Sequence, residues 1–223
     1  MLTTCITKEE KIFIPGQFNP DLTYGTMTDV EGNVYKTITI GTQTWMAENL
    51  NVTKYRTGED IPVITDDMEW DSLTSGAYCN PNFFSGLPTG YGFLYNWYSV
   101  NDSRNIAPAG WHVPTHREWT ILADYLGGRN IAGGKLKEKG TVHWKSPNND
   151  ATNETGFTAL PTGCRSSDGY FCEMGTYAYF WTSTEANASL AWFRYLNYYH
   201  PKMQETYYYG KSCGFSVRCI KDN

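Results

Sequence analysis

The six cysteines are the residues of this chain best suited to chemistry, because thiolates bind soft metals, act as nucleophiles and form disulfides. They stand at positions 5, 79, 164, 172, 213 and 219, without a C-x-x-C pair, and the four histidines are scattered. This spacing does not match a zinc site, and we predict no metal and no cofactor. An even number of cysteines favours an oxidising compartment, with buried thiols in a cytosolic protein as the alternative.

Two of these cysteines flank a turn. Cys164 and Cys172 lie on either side of Ser167-Asp168-Gly169, and strand-like residues border the turn. A hairpin there would place the two cysteines opposite each other, and a disulfide needs Cα atoms within about 7 Å. The sequence therefore predicts a Cys164–Cys172 disulfide.

The carboxylates and histidines of the C-terminal half do not form a recognisable catalytic set. A hydrolase needs a nucleophile beside its base, or two carboxylates flanking the reacting bond. Asp168, Glu185, His200 and Glu205 occur without such a constellation, and a role as surface polar residues explains them. We therefore predict that the chain is not an enzyme.

Aromatic residues dominate the C-terminal third, where 12 of the 33 residues from 177 to 209 are aromatic. Tyrosine and tryptophan offer rigid faces at little entropic cost and are enriched at contact surfaces. The predicted ligand-binding residues are Tyr177, Tyr179, Trp192, Tyr195, Asn197, Tyr198, Tyr199, Tyr207, Tyr208 and Tyr209, with the exposed tyrosines expected on one contiguous face. Trp181, Phe193 and Phe215 are assigned to the core. The alternative is that alternate members of the aromatic set also face the core.

The composition of the chain argues against two classes of binding partner. The 223 residues carry a formal net charge of -5 with both signs well mixed, which argues against a nucleic-acid groove or an anionic membrane surface. No run of about 18 apolar residues occurs, so we predict no transmembrane segment. Leu2-Thr3-Thr4-Cys5 faintly resembles a lipoprotein cleavage site, and a lipid anchor upstream is left open.

Local signals predict the elements that position these residues. Thr115 and Glu118 form a capping box ahead of an apolar face, which predicts a helix over 116–126 ended by Gly127-Gly128. Residues 94–100 indicate a short second helix, and Glu31-Gly32-Asn33 indicates a hairpin turn. Strand patterns cover 179–184, 190–195 and 214–220, whereas 56–92 has the composition of a loop.

Several short sequence motifs occur along the chain: GNVYKTITIGTQTWMAENL from Gly32, LYNWY from Leu94, AGWHVPT from Ala109, AGGKLK from Ala132, GFTALP from Gly156 and GFSVRC from Gly214. In this order they resemble the Fibrobacter succinogenes major paralogous domain over about residues 27 to 221. The match divides the chain into an N-terminal extension, 1–26, and one domain, 27–223. The resemblance implies an α+β, C-type-lectin-like fold with two helices, small antiparallel sheets and much loop.

The resemblance also implies a location and a function. Members of this family tend to be secreted proteins or outer-membrane lipoproteins of the cell surface. The aromatic segment is similar to the variable region of retroelement-diversified proteins, which occur on bacterial surfaces and phage particles. We therefore expect an extracytoplasmic module that binds a protein or glycan ligand on another cell or surface. A structural adhesin or fimbrial assembly subunit is the alternative.

The residues that two classes of protein with similar folds use for oxidation and for calcium binding have no counterparts in this sequence. Formylglycine-generating oxidases use two cysteines separated by four residues, whereas Cys164 and Cys172 are eight apart and Cys213 and Cys219 six apart. Calcium-dependent lectins carry Glu-Pro-Asn or Gln-Pro-Asp, followed by Trp-Asn-Asp, and none of these tripeptides occurs. Oxidase activity is therefore the least favoured function, and the resemblance does not bring calcium-dependent binding with it.

Overall fold

The computed structural model describes residues 15–81 and 90–222, which form a mixed α+β fold of short helices and antiparallel sheets. The strands are β1 (Gly25–Thr28), β2 (Val34–Ile40), β3 (Gln43–Met46), β4 (Tyr78–Cys79), β5 (Leu94–Tyr95), β6 (Trp111–His112), β7 (Cys164–Arg165), β8 (Phe171–Cys172), β9 (Tyr177–Glu185), β10 (Ala191–Asn197), β11 (His200–Thr206) and β12 (Ile220–Lys221). The helices are α1 (Asp67–Asp71), α2 (Trp97–Val100), α3 (His116–Tyr125) and α4 (Arg129–Leu136).

The largest sheet joins the two ends of the domain. Its strand order is β1-β2-β3-β12-β6, so the last strand of the chain lies between β3 and β6. The predicted turn between β1 and β2 is confirmed: Gly32 has a φ of 84°, and Asp29 Oδ1 accepts hydrogen bonds from the backbone amides of Glu31 and Asn33. Glycine suits this position because side chains disfavour positive φ.

The predicted capped helix is confirmed as α3. Thr115 Oγ1 accepts a hydrogen bond from the Glu118 amide, and the Glu118 carboxylate accepts one from the Thr115 amide at 2.7 Å. Trp119 is buried against Trp45, with ring centroids 4.7 Å apart. The capping box thus fixes where the helix begins, and its apolar face fixes which side meets the core.

Four helices lie in the described ranges, whereas the sequence predicted two. The short α1 occupies part of the expected loop, where the Asp66 side chain caps it by accepting from the Glu69 amide. The helix α4 contains Gly133-Gly134, a pair that disfavours helix on propensity alone. A Cβ at Gly133 would lie 2.5 Å from the Lys202 carbonyl oxygen, so the missing side chains permit close packing of α4 on β11. Tertiary packing therefore outweighs local propensity here.

The three-stranded sheet β11-β10-β9 carries most of the aromatic segment. Phe193 pairs with Trp181, and Tyr195 pairs with Tyr179 on β9 and Gln204 on β11. Because side chains alternate along a strand, each face of this sheet meets a different part of the core. Trp181, Phe193 and Phe215 share one buried cluster, which confirms their assignment to the core.

The segment before β1 packs on the domain. Phe18, Leu22 and Tyr24 contact the cluster formed by α3, α4 and the large sheet. The Asn19 side-chain amide donates to the Asn153 carbonyl oxygen at 3.1 Å. The part of the expected N-terminal extension that the structure describes, residues 15–26, is therefore in contact with the core, and residues 1–14 lie outside the described range.

Candidate ligand-binding site

A cavity of about 250 Å³ opens on one face of the three-stranded sheet, and tyrosines form most of its walls. We call it the aromatic depression. Its lining residues are Glu173, Tyr177, Tyr179, Phe193, Tyr195, Thr206, Tyr208 and Tyr209. Five of the ten sequence-predicted binding residues thus meet at one place.

Strand periodicity explains this meeting. Tyr177 and Tyr179 are two residues apart on β9, so their side chains leave the same face. Tyr195 is directly opposite Tyr179 in the β9–β10 register and therefore joins them. The chain after β11 returns across the same face, where the Tyr209 ring stacks on Phe193 with centroids 5.5 Å apart.

The rings present surfaces in several directions. Tyr177 and Tyr179 are nearly parallel, at 10° and 5.6 Å between centroids. Tyr195 is tilted by 34° from Tyr179, and Tyr209 stands at 76° to it. At the rim, Tyr208 is 81% exposed. The depression therefore offers a small group contacts with rings at several inclinations, while Tyr179 is covered by Tyr177 and Phe215.

Glu173 brings a carboxylate to these rings. Its backbone adopts a φ of 60°, a left-handed conformation that is uncommon for a residue with a side chain. The Glu173 carbonyl oxygen holds this conformation by accepting from the amides of Thr176 and Tyr177 at 3.1 and 3.0 Å. The Tyr179 hydroxyl donates to Glu173 Oε2. In the described part of the chain, no lysine, arginine or histidine forms an ion pair with Glu173.

Three phenols of the depression, those of Tyr177, Tyr179 and Tyr209, have raised pKa values and keep their protons to high pH. Burial, followed by the hydrogen bond to Glu173, raises the pKa of Tyr179 far above its ordinary value. Burial and the nearby Glu173 charge also raise the pKa of Tyr209. The pKa of Tyr177 is raised first by its hydrogen bond with Tyr199, whose hydroxyl lies 3.4 Å away. The tyrosines are therefore neutral rings with hydroxyl groups that can donate or accept.

A second cavity, of about 340 Å³, adjoins the depression and shares Glu173 and Tyr209 with it. Its other lining residues are Cys164, Ser166, Ser167, Asp168, Cys172, Cys213 and Phe215. Cys164 and Cys172 are paired in the β7–β8 register and joined by a disulfide, with Cα atoms 5.4 Å apart. Burial raises the pKa of the Cys213 thiol to about 11, which keeps it protonated and weakly nucleophilic.

The residue types of a metal site come together once among the described residues. Atoms of Cys164, Cys172 and Glu173 that can ligate a metal lie within 4.8 Å of one another. Zinc and other soft metals bind deprotonated thiolates, and in the disulfide both sulfurs are bonded to each other. This group therefore does not offer a thiolate site in its oxidised form.

The remaining predicted residues are divided between two surfaces. Tyr199 borders the aromatic depression through Tyr177, and the Tyr198 ring contacts Tyr199 at 5.3 Å. Trp192 instead lies on the α3 side of the sheet, against His116 at 4.3 Å and Tyr207 at 4.6 Å. Trp192 therefore lies on a second aromatic patch, which meets the depression where Tyr207 contacts Tyr208.

Two predicted contact residues are buried. Asn197 has no exposed surface, and its side-chain oxygen accepts from the amides of Tyr199 and His200 within the β10–β11 turn. This corrects its placement on the ligand surface, because a turn-forming asparagine has the same sequence signature as an exposed contact residue. Tyr179 is 3% exposed and forms the base of the depression.

Sequence reasoning missed the residues that hold the β10–β11 turn in place. The fully buried Lys137 donates from Nζ to the carbonyl oxygens of Asn149 and Asn197, both at 2.9 Å. Burial lowers the pKa of Lys137 to about 8. Asn149 donates from its backbone and side-chain amides to the carbonyl oxygens of Tyr198 and Tyr199, both at 2.8 Å. The only sequence signal was the presence of Lys137 in the AGGKLK motif, and Glu173 had none.

Comparison with known proteins identifies the family. The profile of the Fibrobacter succinogenes major domain matches residues 38–221. No curated protein matches the chain, and neither does any solved structure. None of the helices within 15–81 and 90–222 combines the length and the apolar character needed to cross a membrane. The matched residues cover most of the chain, which therefore belongs to the Fibrobacter succinogenes major domain family.

Proposed function

We propose that this chain is an extracytoplasmic binding module with a C-type-lectin-like fold, which holds a protein or glycan ligand in the aromatic depression. The observation that carries the proposal is the convergence of Tyr177, Tyr179, Tyr195, Tyr208 and Tyr209 on one cavity. The Cys164–Cys172 disulfide supports the location, since such bonds persist in oxidising compartments.

Rigid support favours binding by this surface. Three of the tyrosines stand on β9 and β10, and Lys137 and Asn149 anchor the turn that follows β10. A preorganised aromatic surface loses little conformational entropy when a ligand arrives, so more of the contact energy appears as affinity. The hydroxyl groups at the ring tips add hydrogen bonds that orient a sugar or a peptide.

The test begins with a glycan and protein array probed with the whole chain. Affinity for the recovered ligand is then measured calorimetrically for Tyr208→Ala and for Tyr125→Ala. Both side chains are exposed, at 81% and 65%, but Tyr125 lies at the end of α3 and outside the depression. We expect Tyr208→Ala to weaken binding at least about tenfold, equivalent to about 1.4 kcal/mol.

Tyr125→Ala is the control for the loss of an exposed tyrosine outside the depression. Tyr125→Ala should leave the dissociation constant unchanged, and both variants should lie within about 1 kcal/mol of the parent in unfolding free energy, as surface changes usually do. Equal affinity for the parent and Tyr208→Ala would place the ligand elsewhere and remove the proposal.

A further inference from the structure

We propose that the ligand group entering the aromatic depression is an organic cation, specifically an alkylated ammonium head group held between the tyrosine rings and the Glu173 carboxylate. This inference rests on the proposed function and specifies its ligand chemistry. Its starting point is the position of Glu173, which lines both the depression and the adjoining cavity.

Charge is the first argument. The charged residues that line the two cavities are Glu173 and Asp168, and neither lining includes a lysine, arginine or histidine of the described chain. A carboxylate can accept about four hydrogen bonds, whereas within residues 15–81 and 90–222 Glu173 receives one from a side chain, that of Tyr179. The two cavities therefore carry net negative charge on two exposed carboxylates, which a cationic ligand would neutralise.

The aromatic walls are the second argument. The faces of tyrosine rings carry negative potential and attract cations placed over them, by about 0.5–2 kcal/mol for each contact. Tyr177 and Tyr195 line the cavity with their rings inclined to each other by 41°, and the exposed Tyr209 borders the same space. A neutral ligand that filled this space would displace water from the exposed Glu173 carboxylate and leave it, among the described side chains, with only the hydrogen bond from Tyr179, which costs free energy. A cation instead gains from the rings and from the carboxylate together.

Size is the third argument. The depression measures about 250 Å³, below the roughly 300–1,000 Å³ of sites that enclose a drug-sized ligand. It therefore suits a head group rather than a whole ligand. The remainder can extend past Glu173 and Tyr209 into the adjoining cavity, where Ser166, Ser167 and Asp168 offer polar contacts.

The experiment compares choline with 3,3-dimethylbutan-1-ol, in which carbon replaces the charged nitrogen at the same shape. Each is titrated into the whole chain at low ionic strength, and binding is followed by chemical-shift changes of the backbone amides of residues 173–179 and 206–209. We expect saturable binding of choline and at least tenfold weaker binding of the neutral alcohol. The choline affinity should fall as salt is added, because the attraction is electrostatic.

The diagnostic variant is Glu173→Gln, which keeps the length of the side chain and an acceptor for Tyr179 while removing the charge. It should reduce the preference for choline over the alcohol severalfold without abolishing it, because the tyrosine rings still attract the cation, whereas Tyr125→Ala should leave that preference intact. Equal affinity for the two compounds, or binding of neither, would overturn the cation assignment. In that case, loss of array-ligand binding in Tyr208→Ala would still support the proposed function, so the two failures can be told apart.

Discussion

Individual buried cations hold this loop-rich domain together. Arg218 is almost fully buried, and its guanidinium donates to Asn49 Oδ1 at 2.7 Å and to the Thr158 carbonyl oxygen at 3.0 Å. A further donation reaches the Phe157 carbonyl oxygen. The planar guanidinium of an arginine carries five N–H donors and can therefore reach several acceptors at once. The compact ammonium of a lysine cannot reproduce this arrangement. Arg218 thereby connects the closing segment to the end of the large sheet and to the loop before β7.

We predict that Arg218→Met destabilises the fold by at least about 2 kcal/mol, because buried carbonyl oxygens lose charged hydrogen-bond donors. The measurement is urea unfolding followed by circular dichroism. Arg117→Met is the matched control, since Arg117 is exposed on α3 and should change the unfolding free energy by less than about 0.5 kcal/mol. Similar effects of the two substitutions would contradict the role given to Arg218.

Among the elements, those specified by local signals were predictable from sequence and those specified by packing were not. The capping box and apolar spacing define α3 within the segment itself. For α4 the local signal points the other way, because Gly133 matters only through its approach to the Lys202 carbonyl oxygen. For the same reason, the sequence predicted the tyrosines of the aromatic depression but not their arrangement. Tyrosine content marks a contact surface, but only the β9–β10 register shows which rings converge, and only the loop before β9 brings Glu173 to them.

The β10–β11 turn provides a prediction for a single element. Lys137→Met should remove the donors that hold the carbonyl oxygens of Asn149 and Asn197, so the turn should open more often. We expect amide hydrogen exchange of Tyr199 and His200 to accelerate at least about tenfold, which corresponds to about 1.4 kcal/mol of local opening free energy. The measurement is native-state exchange at fixed pH.

Lys135→Met provides the comparison for this experiment. Lys135 lies in the last turn of α4, two residues before Lys137, but its side chain pairs with Glu154 at 3.0 Å. Exchange in the turn should therefore match the parent in Lys135→Met. Unchanged exchange in Lys137→Met would contradict this role and leave the turn to the hydrogen bonds of Asn149 and Asn197.

Across the whole molecule, buried thiols and tyrosines are held in their neutral, protonated form. Burial raises the pKa of the Cys79 thiol from an ordinary value near 9 to about 12 and that of Cys213 to about 11, and it raises the pKa of Cys219 still further. Burial likewise raises the pKa of Tyr95 far above its ordinary value near 10. These groups keep their protons in the folded state at pH values where an unfolded chain has released them.

This property predicts that stability is lost at alkaline pH. A group with a raised folded pKa contributes stability that is fully present below its unfolded pKa and is lost as the pH rises towards the folded value. For the three thiols, the loss begins near pH 9. Lys137 acts with the opposite sign, because its pKa is lowered from 10.5 to about 8 and its contribution to stability grows over that interval. The three thiols outnumber this lysine, and buried tyrosines such as Tyr95 add to the loss of stability as the pH approaches 10 and above.

Urea unfolding at pH 7, 8.5 and 10, without reductant and under nitrogen, measures this profile. We expect the unfolding free energy to change little up to pH 8.5 and to fall clearly by pH 10. The double variant Cys79→Ala, Cys213→Ala removes two of the thiols, so its stability at pH 7 should be lower but its decline towards pH 10 shallower than that of the parent. Loss of two titrating groups lowers the proton difference between the unfolded and folded states, whatever packing the substitutions cost. An equally steep decline in the double variant would show that tyrosines such as Tyr95, rather than the thiols, cause the loss of stability at alkaline pH. A parent whose unfolding free energy does not fall by pH 10 would contradict the burial of these thiols and tyrosines.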